Sequence, residues 1–275
     1  MKKIFLLSFL VLLSSCSRSS FLVEIFDAIT ASRVDEYFDL SSAQKTELKK
    51  NLRQDADAVR RELLPEISGE LQKTAKLVDE ETLSPQVAAE KYHLIQGYFK
   101  KIAQAFKGSA LKMTADLKPE QLKYFEKQVK KDIDKLKEQN EDTKKSQKTA
   151  FEKYKRSLKF WVGSMSDDQE KKIYQFLEQN PYPWQLEVQN KEYVLAQFLK
   201  SYESPEKQKI YVESYFNDFE NARLPEYTTA LNAHKKSFQE FFAKEFWPTL
   251  SQKQKVSLKE NLIERSEQIQ KISLR

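Results

Sequence analysis

Glycine, histidine and cysteine are scarce in this chain: 275 residues hold four, two and one of them. Against a usual glycine share of ~7%, so few glycines are hard to reconcile with a turn-rich all-β fold or with loops that cradle phosphate. Two histidines, His93 and His234, are too few for zinc ligation and offer little for a Ser-His-Asp triad. The lone cysteine, Cys16, has no second thiol in the chain to pair with. Stability therefore has to come from burial alone. Long apolar runs are missing as well. The one run, Ile4 to Leu13, is about half of the ~20 residues that a membrane-spanning helix needs.

What is present is a helix-forming alphabet. Glu, Lys, Leu, Gln and Ala dominate, and eighteen Phe, twelve Tyr and three Trp supply bulk for a core. Apolar residues recur at the helical period, and no segment shows strand-like alternation. The sequence predicts an all-α chain, an elongated bundle of about eight amphipathic helices, some long or kinked. They fall near residues 20–38, 42–78, 85–115, 119–162, 167–179, 185–202, 205–246 and 252–271. Pro65 and Pro225, each in a Leu-Pro-Glu context, are expected to kink or interrupt their helices. Pro181 and Pro183 make a rigid connection, and Trp247-Pro248 ends the seventh helix. Residues 137–149 include no apolar side chain. Yet the apolar phase of Leu122, Val129 and Leu136 resumes at Phe151, Tyr154, Leu158 and Trp161. A continuous helix with a solvated middle is the expectation. The alternative is a hinge between two lobes, residues 16–136 and 150–275.

One phrase recurs four times: Leu40-Ser-Ser-Ala-Gln44, Leu117-Lys-Pro-Glu-Gln121, Met165-Ser-Asp-Asp-Gln169 and Leu250-Ser-Gln-Lys-Gln254. Each precedes apolar residues at helical spacing. Ser41, Ser166 and Ser251 stand where a hydroxyl caps the free N–H groups of a first turn. Gln44, Gln169 and Gln254, three residues on, reach back to the cap's own N–H. In the second copy Pro119 occupies the first helical position, ahead of Gln121. Capping alone leaves these glutamines exposed, so Gln→Ala is expected to cost about 1 kcal/mol or less. The leucines at 40, 117 and 250 are expected to be core. The recurrence also admits an ancient duplication.

At the amino terminus Lys2 and Lys3 precede the apolar run, which ends in Leu13-Ser-Ser-Cys16-Ser17. A charged start, a short apolar stretch and small residues before the cut form a secretory signal. The arrangement resembles the lipobox of bacterial lipoproteins. That resemblance implies cleavage after residue 15 and lipid attachment at Cys16. Ser17, rather than Asp, implies sorting to the inner leaflet of the outer membrane, a periplasmic location. Two or three acyl chains anchor stably where one is marginal. Losing Lys2 and Lys3 lowers the formal charge from +6 to +4. Acids and bases are interspersed and a periplasm holds no genomic target, so no nucleic-acid partner is expected.

Two further resemblances rest on internal residues. The phrase Leu-Ser/Thr-x-x-Gln opening a helix resembles the repeated motif of the Spy and CpxP group of all-helical periplasmic proteins, a chaperone and a stress-signalling accessory. In order along the chain come a lipobox, Asp35-Glu-Tyr-Phe-Asp-Leu40, Arg61-Glu-Leu-Leu-Pro65 and Leu158-Lys-Phe-Trp-Val-Gly163 leading into Met165. That order is similar to an uncharacterised family of bacterial lipoproteins over most of residues 16–265. It implies an all-helical lipoprotein and carries no activity with it.

Candidate chemistry is thin. Glu90-Lys-Tyr-His93 is half of a di-iron helix motif, and no second copy exists, so no metal or other cofactor is expected. Asp35 and Asp39, four apart, have the spacing for acid/base work on a glycan, although 41 acids make such pairs common. Arg33 or a neighbouring helix for Asp35, and the next helix start for Asp39, are the plainer partners. Arg60 and Arg61 are expected to pair with Glu62 or Glu66. The expectation is a non-catalytic envelope lipoprotein that binds unfolded or envelope proteins in a chaperone-like or stress-related role. A structural adaptor for one envelope partner or peptidoglycan is the second reading, and a carboxylate-dependent glycan enzyme the third.

Overall fold

The computed structural model describes residues 26–79 and 84–274, and within them every regular element is helical. Cys16 and the expected signal segment, residues 1–15, lie outside the described residues. The elements are α1 (Phe26–Phe38), α2 (Ser42–Glu62), α3 (Leu64–Asp79), α4 (Pro85–Ala105), α5 (Lys107–Ala115), α6 (Pro119–Asn140), α7 (Thr143–Val162), α8 (Asp167–Gln179), α9 (Trp184–Ser201), α10 (Pro205–Asn217), α11 (Pro225–Phe241) and α12 (Gln252–Ser273). A π-turn (Phe242–Phe246) and a 3-10 turn (Trp247–Thr249) join α11 to α12.

The all-α expectation holds, and the expected count of about eight is too low because four long segments are divided. At Leu63 the chain only kinks: its N–H still reaches Val59 O at 2.9 Å, and Pro65 takes a place in the first turn of α3. There its missing donor costs nothing. Phe106 separates α4 from α5. Asp218–Leu224 is irregular before Pro225 opens α11. The fourth division overturns the continuous helix expected across residues 137–149. Helix α6 ends at Asn140, and Asp142 restarts the chain, its carboxylate accepting from Lys144 N at 2.8 Å and Lys145 N at 3.3 Å. A local Asp cap outcompetes continuation where no apolar face holds the helix to a neighbour.

Three apolar clusters hold the helices. The first gathers Ala31 and Phe38 of α1, Leu40 of the connection and Leu48 and Leu52 of α2, with Phe125 of α6 and Phe198 of α9 against them. Phe38 stacks on Phe125 at 4.5 Å between centroids. The second joins α3 to the later half of α12 through Leu71, Ala75, Val78, Leu262, Ile269 and Ile272. The third packs α7, α8, α11 and the π-turn through Leu158, Ile173, Phe176, Leu177, Phe241 and Phe246. The aromatic stripe that includes Phe238, Phe241, Phe242 and Phe246 is thus core. The two expected lobes meet along α3–α12 and α6–α9.

Helix α3 lies close against α12 because small residues face each other at the crossing. Ser68 Oγ donates to Ser266 O at 3.0 Å, and Ser266 Oγ donates to Ser68 O at 3.1 Å. Ser266 is fully buried. Replacing it with Val fills space that is already occupied and should cost about 1–3 kcal/mol in a urea titration, whereas Ser266→Ala should cost about 1 kcal/mol.

Between α7 and α8, Lys155 Nζ holds Glu170 at 2.5 Å, with Lys159 at 3.4 Å. The Lys155 hydrogen bond, more than Lys159, lowers the Glu170 carboxyl below its usual value. A carboxylate with a depressed folded pKa stabilises fully above its unfolded value of about 4.3, and the contribution is lost as pH falls through the folded value. The unfolding midpoint of Glu170→Gln should therefore fall less than that of the wild type between pH 5 and pH 3.

Candidate functional site

The four recurrent phrases open α2, α6, α8 and α12, as their caps dictate. In three of them the box closes in both directions. Ser41, Ser166 and Ser251 accept from the N–H of Gln44, Gln169 and Gln254, each at 3.3 Å. The reverse bonds, from the serine N–H to the glutamine Oε1, measure 2.9, 3.0 and 2.9 Å. In the fourth, Lys118 has no side-chain acceptor, so only its N–H is satisfied, by Gln121 Oε1 at 3.0 Å.

These helix starts do not stand alone. Gln44 and Gln121 meet amide to amide: Gln44 Nε2 donates to Gln121 Oε1 at 3.1 Å, and Gln121 Nε2 donates to Gln44 Oε1 at 2.9 Å. Gln169 and Gln254 repeat this at 3.1 and 2.8 Å. Each remaining N–H goes to the backbone carbonyl two residues ahead of the partner's cap. Gln44 reaches Asp116 O and Gln121 reaches Asp39 O, at 2.9 and 3.1 Å. Gln169 reaches Thr249 O and Gln254 reaches Ser164 O, at 3.1 and 2.7 Å. Two helix N-termini are thus clasped by one reciprocal pattern, and the pattern occurs twice, once in each half of the chain.

The expectation of exposed glutamines fails here. Gln121, Gln169 and Gln254 are buried and Gln44 is half-buried. Each amide oxygen accepts its own cap N–H and the partner's N–H, and both amide hydrogens are spent. The motif therefore builds the fold, and its amides are already occupied as hydrogen-bonding groups. Leu40 and Leu250 are core, and Leu117 and Met165 are partly buried beside it.

The other candidates resolve into structural partners. Asp35 accepts from Leu40 N and pairs with Lys45 Nζ, both at 2.8 Å. Arg33 pairs with Glu36 instead. Asp39 takes a left-handed φ of 51° that lets α1 turn into the first clasp, a conformation Asp tolerates. Arg60 pairs with Asp57 at 2.8 Å, not with Glu62 or Glu66, since three residues back along the helix is within easier reach. His93 Nε2 lies 3.2 Å from Gln239 Nε2. Among the described residues no group of three or more His, Cys, Asp or Glu is placed to hold a metal.

His234 is buried, and its Nε2 meets the Tyr154 hydroxyl at 2.6 Å. Tyr182 packs edge-on to the same imidazole at 5.4 Å and shares a 3.0 Å bond with Tyr227. Burial pushes the Tyr154 and Tyr182 hydroxyls well up, and the Glu187 carboxylate adds to the rise at Tyr182. These hydroxyls stay protonated, and their hydrogen bonds tie α7 and the connection before α9 to α11. Sequence reasoning missed the cluster because its members lie 80 and 45 positions apart.

The model of a family of unknown function (DUF6279) matches residues 36–227, which takes in three of the four phrases. No curated protein and no solved structure matches the chain.

Truncating one clasped glutamine strands its partner's amide and a cap N–H, at about 1–3 kcal/mol for each buried group left unpaired. Gln169→Ala should therefore cost about 3 kcal/mol in chemical denaturation. A double-mutant cycle should couple Gln169 to Gln254 by at least about 0.5 kcal/mol and leave Gln44 uncoupled from Gln254.

Proposed function

As the chain belongs to the DUF6279 family, and its described residues form a helical frame closed by two glutamine clasps, we propose that it is a lipid-anchored envelope protein that works by binding other proteins. In this reading Cys16 carries the lipid and the helices face the periplasm from the inner leaflet of the outer membrane. The partners are unfolded or partly unfolded envelope polypeptides, held in a chaperone-like way.

The observation that carries this reading is how the surface is composed. Tyr92 and Leu94 on α4, Tyr174 on α8, Ile210 on α10 and Val256 on α12 are 40–58% exposed. Around them stand lysines and glutamates such as Lys207, Glu206, Lys253 and Lys255. Apolar side chains spread over a charged surface suit loose capture, in which charge speeds encounter and short apolar contacts hold the client. A rigid frame favours a second reading, an adaptor for one defined envelope partner. Preorganised surfaces bind a single shape at low entropic cost.

The two readings part in one experiment. The chain from Ser17 onward, which retains every described helix, is added to several unrelated unfolding proteins while light scattering is followed. Suppression across clients at near-equal amounts, reduced by Tyr92→Ser with Ile210→Ser, is the expected outcome. Failure with every client overturns the chaperone reading and leaves the adaptor.

A further inference from the structure

The formal charge of the chain is concentrated in one stretch. From Lys118 to Lys159 there are 14 bases and 8 acids, an excess equal to the +6 of the whole sequence. That stretch is α6 and α7, which share a corner at residues 141–142. On α6, Lys123, Lys127 and Lys131 follow one another at four-residue spacing, so they form one stripe along the helix. On α7, Lys144, Lys145 and Lys148 crowd the first turns, where the helix dipole disfavours cations. All six are exposed, and among the described residues none of them is held by a carboxylate. Asp134 and Glu138 of α6 and Glu141 and Asp142 of the corner are exposed as well, without cancelling the excess.

The direction of α1 sets this stretch beside the chain's entry into the fold. Asp39 O meets Gln121, Phe38 stacks on Phe125, and the Tyr37 hydroxyl donates to Asp132. Positions falling along α1 thus meet positions rising along α6, so the two helices run antiparallel. The 13 residues of α1 cover about 20 Å. Phe26 is therefore level with the last turns of α6, near residues 134–140. Only ten positions separate Phe26 from Cys16, a reach of at most about 35 Å even when fully extended.

We propose that the exposed stripe of α6 and the first turns of α7 form a second, electrostatic membrane contact. They dock on anionic phospholipid headgroups close to where the acyl anchor enters the bilayer. The proposal rests on the lipid-anchor reading of Cys16 for its geometry, since the anchor brings this end of the molecule to the surface. Lysines near an anionic leaflet each add to binding, and the gain fades with salt. Lipid anchors become durable when a basic patch assists them.

The test uses the chain from Ser17 onward, so that no acyl group contributes. It is sedimented with vesicles of phosphatidylglycerol mixed into phosphatidylcholine, and with phosphatidylcholine alone. The expected result is at least tenfold stronger binding to the anionic vesicles in low salt, lost at 0.5 M salt. A variant with the six lysines changed to Gln should lose at least tenfold of that binding while keeping its helix content and melting temperature. Equal binding to both vesicles, no binding to either, or unchanged binding by the variant overturns the proposal. Equally tight binding to polyglutamate or duplex DNA of matched charge overturns the assignment to lipid. The mass of Cys16 peptides from intact cells is read separately. An unacylated Cys16 sinks the anchor reading without touching the vesicle result.

Discussion

Everything else in this fold depends on the reciprocal pairing of glutamine amides at helix starts. Two N-termini brought together present facing positive ends and free N–H groups that burial would leave unsatisfied. The clasp answers both difficulties at once. Each glutamine oxygen takes its own cap N–H, and each glutamine nitrogen binds the partner's oxygen and the partner's preceding carbonyl. Because the groups are buried in low dielectric, the bonds are strong and their loss is costly. The same network fixes direction, since only one mutual orientation of the two helices satisfies all of its bonds.

From the two clasps the apolar clusters follow. The first clasp joins the starts of α2 and α6, and α1 packs against both helices, so that Phe38, Phe125 and Phe198 interlock. The second joins the starts of α8 and α12, and α8 then packs with α7 under the phenylalanines of α11 and the π-turn. Helix α12 then runs on to α3, where Ser68 and Ser266 permit a close crossing. One helix therefore belongs to the second clasp at its start and to the core of α3 at its end. Gly163, with a φ of 79°, ends α7 just before Ser164 supplies its carbonyl to Gln254, a turn that a side chain would strain.

For function, the clasps relocate attention from the motif to the surface. The recurrent phrase invited a client-binding reading, and its amides are committed to each other. What is left for partners is the outer face: scattered exposed Tyr, Leu, Ile and Val side chains among charges, and the lysine-rich flank of α6 and α7. These surfaces underlie the proposed binding role and the proposed second contact with lipid.

How much was readable in the sequence differs by element. Helix starts at Ser41, Pro119, Ser166, Pro205 and Ser251 were readable to the residue, because a cap is local chemistry between positions three apart. The stop at Asn140 was not, since the Asp142 cap competes with a continuing apolar phase and the balance turns on which neighbours α6 and α7 find. Leu40 and Leu250 were readable as core from their place in the phrase, one residue ahead of each cap. The burial of Gln121, Gln169 and Gln254 was not, because their partners are 77 and 85 positions away and no local rule brings two capping boxes face to face. The sequence by itself determined the helical class, the caps and the recurrence of one phrase, all of them short-range consequences of backbone geometry. Only the tertiary structure decided that the four phrases form two pairs, because amide pairing rewards a meeting in space that spacing along the chain does not encode.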